Sequence, residues 1–193
     1  MNSALASWCR EPIPVGEETY TPWGEGWYAW SSPSPEVEFC EFVGALVRLL
    51  HPRLVVETGV GAGYVTRRII AGLGSGSWVG FESDDGYRAE SRRLPWPDRL
   101  VLSSLPTPTQ TVMAGADLVV LDSAPEYRLT EFDLWTEHGK PSSVLVCHDV
   151  SSRHPPSPRN SKVHIPFYNH ISTSGLGGVF LTNPRGAWMG QHP

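Results

Sequence analysis

Two stretches of the chain carry residue types and spacings suited to chemistry. The first is Glu57-Thr58-Gly59-Val60-Gly61-Ala62-Gly63, which follows a short β-branched run and opens a helical pattern. Glycines let a backbone turn tightly and approach a ligand, and a helix N-terminus offers unpaired N–H groups to a negative group. Glu57 stands two residues before the first glycine, and Glu82 stands 19 residues beyond Gly63 at the end of the next apolar run. An acid at that second position is placed to accept both hydroxyls of a ribose. The second stretch is split: Asp122 closes the run ADLVVLD, and His148-Asp149 closes SSVLVCHD. Two carboxylates at neighbouring strand ends suit a hard dication, and Mg²⁺ between Asp122 and Asp149 would acidify a substrate hydroxyl. His148 is the candidate general base, because an imidazole takes a proton near neutral pH, with Asp149 or Asp122 to fix its tautomer. Side chains alternate along a strand, so a regular strand end would turn His148 and Asp149 to opposite faces.

The elements that must position these residues follow from apolar periodicity. Apolar positions from Val37 to Leu50 recur at helical spacing, with Ser32 or Ser34 as a candidate cap ahead of Pro35 and His51-Pro52 as the stop. Strands are expected at 54–57, 78–82, 100–102, 116–122 and 142–149, and helices at 64–73, 84–93 and 126–137. This alternation predicts a parallel sheet flanked by helices with right-handed crossovers. Beyond it come a proline-rich loop at 151–162, a short helix at 166–172, and a terminal antiparallel hairpin of 177–182 with 186–191. Residues 1–35 read as an irregular aromatic lead-in, and 36–193 as one domain. The cluster Trp23, Trp27, Tyr28 and Trp30 serves as cover for a sheet face or as a lid.

Composition bounds the rest. The chain has 193 residues, 40% hydrophobic and 18% charged, enough for one domain with a core. A net charge of -5 argues against nucleic acid as the partner. Cys9, Cys40 and Cys147 form neither a disulfide framework nor a zinc cluster. No signal peptide or membrane span is evident, so the expectation is a soluble protein in a reducing cytoplasm. Of the histidines after the fifth strand, His154, His164 and His170 are read as surface residues.

Two ligand classes fit a ribose-binding acid, dinucleotides and S-adenosylmethionine. Dinucleotide loops run G-x-G-x-x-G and seldom place an acid beside the pyrophosphate; this chain has G-x-G-x-G with Glu57 beside it. A sulfonium cofactor with a free amino group suits Glu57, so the spacing favours S-adenosylmethionine.

From Val37 to Gln191 the sequence resembles the class I (Rossmann-like) S-adenosylmethionine-dependent methyltransferases, on VVETGVGAGYVT as the first motif and WVGFESD as the second. The resemblance implies a seven-stranded sheet of order 3-2-1-4-5-7-6 ending in the hairpin VFLTNPRGAWMG. It implies that Thr58 to Gly63 (Gly59, Gly61 and Gly63 among them) with Tyr64 hold the methionine part. Glu82 and Ser83 would then meet the ribose, Ser104 the adenine edge, and Asp122 the cofactor's side. The positions after the third strand read Ser103-Ser104-Leu105, without the acid frequent there. VVLDSAPEYRLTEFDLW with SSVLVCHDV is similar to the branch that holds catechol-type, cephalosporin-hydroxylase-like and macrolide-sugar methyltransferases. There the matching positions, Asp122, His148 and Asp149 here, often hold Mg²⁺. A related branch has a His where this chain has Pro125.

The expectation is therefore O-methylation of a small molecule such as a sugar, phenol or other specialised metabolite, with His148 or Asp149 as base. Metal-free methylation of nitrogen or of a peptide, a catalytically silent cofactor-binding partner protein, and a nicotinamide oxidoreductase are the alternatives. Exposed aromatics in the N-terminal segment would suit a homodimer contact.

Overall fold

The computed structural model describes residues 35–91, 100–150, 164–181 and 185–193. The aromatic segment, the proline-rich loop, His154, Cys9, Ser32 and Ser34 lie outside the described residues. Among the described residues the chain runs α1 (Val37–Leu50), β1 (Leu54–Thr58), α2 (Tyr64–Gly72), β2 (Ser77–Phe81), α3 (Asp85–Ser91), β3 (Leu100–Ser103) and α4 (Gln110–Gly115). It continues with β4 (Leu118–Leu121), α5 (Pro125–His138), β5 (Val144–His148), α6 (His164–Thr173), β6 (Gly178–Leu181) and β7 (Ala187–Gln191).

The strands form one sheet in the order β3-β2-β1-β4-β5-β7-β6. The first five pair in parallel, and β7 pairs antiparallel with both β5 and β6. The order and the terminal hairpin are those expected from sequence. Helix α4 is an addition: QTVMAG has too few apolar positions to show a period, and Thr109 starts it by accepting the Val112 N–H with its side chain. The start of α1 also differs from expectation. Glu36 is its N-cap residue and makes no side-chain capping bond, because that carboxylate is used elsewhere.

Alternation along the buried strands divides the core between the sheet's two faces. Val55, Val120 and Val146 pack with Phe39, Val43 and Ile69 of α1 and α2. Val56, Val119, Leu121, Leu145 and Cys147 pack with Phe132 and Trp135 of α5 and Phe167 of α6. The tryptophans explain three strand glycines. Trp78 lies over Gly80, and Trp188 lies over Gly190 and across to Gly178, so that a Cβ at any of the three would strike an indole ring. Each Trp-x-Gly pair thus clears its own strand face for a fully buried ring.

Candidate functional site

The carboxyl ends of β1, β2, β4 and β5 meet along one edge, the edge at which open α/β sheets bind ligands. The glycine loop crosses it between β1 and α2. Gly59, Gly61 and Gly63 have φ of 71, 53 and 80°, a region that L side chains rarely enter. Gly59 donates its N–H to the Phe81 carbonyl at 2.9 Å, and a Cβ on it would run into the Asp122 backbone. A Cβ on Gly61 would meet nothing within 4 Å. The loop is thus pressed against β4 at its start and open at its middle, a concave strip of backbone ahead of α2, whose N-cap is Gly63.

Two acids hold this strip. Glu82 is buried just past β2; its Oε2 accepts the Gly61 N–H at 2.8 Å and its Oε1 accepts the Asp84 N–H at 2.9 Å. Glu57 lies beneath the loop, where its Oε2 accepts from Thr66 Oγ1 and Trp78 Nε1, both at 2.8 Å. Burial pushes the Glu57 carboxyl up to about 8 against those two hydrogen bonds. Glu57 therefore braces the loop from the core side. A third acid was not anticipated: Glu131 of α5 is fully buried and accepts from Thr58 Oγ1 at 2.9 Å and Ser123 Oγ at 2.5 Å. Burial raises it to about 7. Tyr64 is half-buried at the start of α2 with Arg67 against its ring, 5.7 Å from the centroid, while Ser83 and Ser104 are exposed at the ends of β2 and β3.

Asp122, His148 and Asp149 do converge, with one ligand-type atom from each within 4.8 Å of the others. Asp149 achieves this by leaving the strand with φ of 57°, which breaks the alternation and returns its side chain to the face of His148. What surrounds the three is not legible in their spacing. His148 is fully buried, its Nδ1 2.9 Å from Asp122 Oδ1 and its Nε2 2.6 Å from Glu36 Oε2. The Phe39 ring lies against it, centroids 4.3 Å apart. Arg185, in the turn before β7, forks onto Asp149, Nε to Oδ1 at 2.7 Å and Nη2 to Oδ2 at 2.8 Å. Its backbone N–H donates to Glu36 Oε1 at 3.2 Å. Arg128 of α5 donates through Nη2 to Asp122 Oδ1 at 2.9 Å and to Asp149 Oδ2 at 3.3 Å. Its Nε and Nη1 are fixed on the Ser123 and His148 carbonyls.

Charge sets the protonation states. Burial acts to lower the His148 pKa, but Asp149, Glu36 and Asp122 together raise it to about 10. Burial acts to raise Glu36, but the His148 cation and its hydrogen bond bring it to about 2. Asp149, despite its burial, is held well below the carboxylate range by Arg185, His148 and Arg128. These surroundings bear on the base role expected of His148: the three carboxylates favour its protonated form near neutral pH, and both ring nitrogens face carboxylate oxygens. Arg185 occupies both oxygens of Asp149. His164 departs from expectation, being buried with Nε2 3.4 Å from Asp149 Oδ1. Burial lowers it to about 4, so it stays neutral. His170 sits beside Asp133 as a partly exposed pair, Nε2 to Oδ1 at 2.7 Å.

Among the described residues, the carboxylate oxygen of this cluster that takes no hydrogen bond is Asp122 Oδ2, on a side chain 12% exposed. Sequence reasoning missed Glu36, Arg128, Arg185 and Glu131. Glu36 looks like a helix-start acid, and Arg185 like a turn residue within the hairpin VFLTNPRGAWMG.

No family model matches the chain, and no curated protein matches it. Solved structures share the fold. An O-methyltransferase from Bacillus cereus, in complex with SAH, matches with a TM-score of 0.66 at 16% identity, over 82% of this chain and 82% of that one. The O-methyltransferase TomG from Streptomyces achromogenes, involved in tomaymycin synthesis and solved with SAM, matches with a TM-score of 0.66 at 13% identity, over 100% of this chain and 91% of that one. The SAH-bound Podospora anserina methyltransferase PaMTH1 gives a TM-score of 0.63 at 14% identity, over 98% of this chain and 87% of that one. The sheet order and terminal hairpin make this chain a Rossmann-like fold of the kind these structures have.

Proposed function

We propose that this chain is an S-adenosylmethionine-dependent methyltransferase whose acceptor is an oxygen atom of a small molecule. The observation that carries the reading is the glycine strip: left-handed glycines at three alternate positions of a strand-to-helix turn, with a Cβ at Gly61 meeting nothing within 4 Å and Glu82 accepting its N–H. That shape fits the methionine part of the cofactor on Thr58 to Tyr64. We assign Glu82 and Ser83 to the ribose and Ser104 to the adenine side. Neighbouring O-methyltransferase structures that hold SAH or SAM support the same reading. S-adenosylmethionine, when bound, supplies a methyl group activated on a sulfonium sulfur. The protein's part is to orient the acceptor in line and to take its proton. Asp122 Oδ2 is the group we assign to that proton, in place of His148 or Asp149. The acceptor's hydroxyl proton would pass to this oxygen, the methyl group's bond to sulfur breaking as its bond to oxygen forms and S-adenosylhomocysteine leaving, and Asp122 would then release the proton to water. A net charge of -5 agrees with a small-molecule acceptor and gives no attraction to nucleic acid. Among the described residues no helix is long and apolar enough to cross a membrane.

Calorimetric titration with S-adenosylhomocysteine and, separately, with NAD⁺ tests the cofactor. Binding of S-adenosylhomocysteine in the micromolar range, weakened at least about tenfold in Glu82→Ala, is the expected result. Binding of NAD⁺ alone would replace this reading with an oxidoreductase. Asp122→Asn then separates an enzyme from a silent binding protein. An enzyme keeps cofactor binding and loses about 10²-fold or more in turnover; in a silent protein there is no turnover to lose.

A further inference from the structure

The carboxylates at the ends of β4 and β5 invite a divalent ion, yet two guanidiniums already stand between them. We infer that Arg128 and Arg185 are the resident cations of the Asp122–Asp149 pair, and that this site takes no divalent metal.

Three observations carry this. The first is donor commitment. A divalent ion would need lone pairs from Asp122, His148 and Asp149, but both His148 nitrogens face carboxylates at hydrogen-bonding distance. Both Asp149 oxygens are taken by the Arg185 fork, and Asp122 Oδ1 is taken by Arg128. Among the described residues Asp122 Oδ2 alone of these atoms is uncommitted, and one carboxylate oxygen is not a metal site. The second is charge. Glu36, Asp122 and Asp149 contribute three negative charges; Arg128, Arg185 and the His148 imidazolium contribute three positive ones. The arginines bring the same +2 that a divalent ion would, so an added ion would leave the buried cluster positive. The third is anchorage. Both guanidiniums are about as buried as the acids they meet, with side chains 6% exposed. Arg128 is further pinned by the Ser123 and His148 carbonyls at 2.5 and 2.9 Å. Displacing it would orphan two backbone acceptors as well as two carboxylates.

The chemistry follows from what a guanidinium can do. It neutralises and orients carboxylates as an ion does, but it does not bind a substrate oxygen as a Lewis acid would and does not give up a proton near neutral pH. An acceptor in this site therefore loses its proton to a protein group, without prior acidification by a metal.

The test is Mn²⁺ titration of the full chain, followed by the electron spin resonance signal of free Mn²⁺, with S-adenosylhomocysteine calorimetry run in parallel with EDTA or with millimolar Mg²⁺. The expected result is no Mn²⁺ uptake in the micromolar range, and a cofactor Kd that changes less than about twofold between EDTA and Mg²⁺. Uptake of a single Mn²⁺ at micromolar Kd, abolished by Asp122→Asn, would overturn the inference. Uptake that Asp122→Asn leaves unchanged lies elsewhere on the chain and counts for it. The Mn²⁺ measurement on the unaltered chain needs no variant to fold. The inference bears on how the proposed transfer is run, but a chain that binds neither Mn²⁺ nor S-adenosylhomocysteine would sink the methyltransferase reading and leave the arginine assignment standing.

Discussion

At the residue scale the buried ions are unequal partners. Glu36 touches His148 and the Arg185 backbone, and its removal would leave an imidazolium in the core with one carboxylate fewer. Breaking a buried pair from one side costs about 3–5 kcal/mol, so Glu36→Ala is expected to lose that much in urea unfolding, while Glu36→Gln retains part of it. Glu57 is the contrasting case. Its carboxyl is raised to about 8 and its Oε2 only accepts, so an amide replaces the neutral acid almost isosterically. Glu57→Gln should raise the melting temperature at pH 7, because folding then no longer has to take up a proton at this site. If Glu57 instead bound the cofactor's ammonium group as a charged partner, the same variant would cost at least about tenfold in S-adenosylhomocysteine affinity.

At the element scale, the strand-to-helix turn separates two glycines that look alike in sequence. Gly59 and Gly61 both have positive φ, but a Cβ on the first meets the Asp122 backbone and a Cβ on the second meets open space. Gly59→Ala combines strain with a backbone clash and should destabilise by more than about 2 kcal/mol. Gly61→Ala pays the strain alone, about 1 kcal/mol, and should fold; its methyl group would then stand in the strip and abolish S-adenosylhomocysteine binding. A Gly61→Ala variant that binds the ligand as the parent does would remove the strip from the cofactor site. The elements themselves were legible because buried parallel strands read as apolar runs and the glycine turn marks the switch from strand to helix. The convergence of Asp122 with His148 and Asp149 was legible only as adjacency at one sheet edge. The backbone twist at Asp149, which brings it about, has no signature in CHDV. The partners of these residues were not legible at all. Glu36 meets His148 across 112 residues and Arg185 across 149, and no local pattern encodes such pairings. Short α4 escaped for a different reason: its start rests on the Thr109 cap, in a stretch with too few apolar residues to show a period.

For the whole molecule, the titrating groups predict how stability runs with pH. The unfolded His148 releases its proton near 6.5 and the folded one near 10, so its contribution is full below 6.5 and lost as pH rises through 10. Glu57, and Glu131 and Glu38, are raised to about 8, 7 and 7, so the folded state again holds more protons than the unfolded one and stability falls as pH climbs toward those values. The depressed groups, Glu36 at about 2 and His164 at about 4, have their windows below 6.5. Above that pH these shifts share one sign. Melting temperature should therefore decline steadily from pH 6.5 to 10, and Glu57→Gln should flatten the part below 8. A flat or rising profile would mean that His148 is not held as a cation.

The contact between Glu36 and Arg185 has a kinetic meaning as well. It joins the first described helix to the last turn, across 149 residues, and loop closure of that span comes late in folding. The ionic cluster can only form once β4, β5 and the terminal hairpin are already in register. Fraying at either end of the chain dismantles it while the central strands remain paired. Mild heating should therefore silence the site before the sheet melts, with hydrogen exchange at the Arg185 amide, which donates to Glu36, opening ahead of Val56 and Val120.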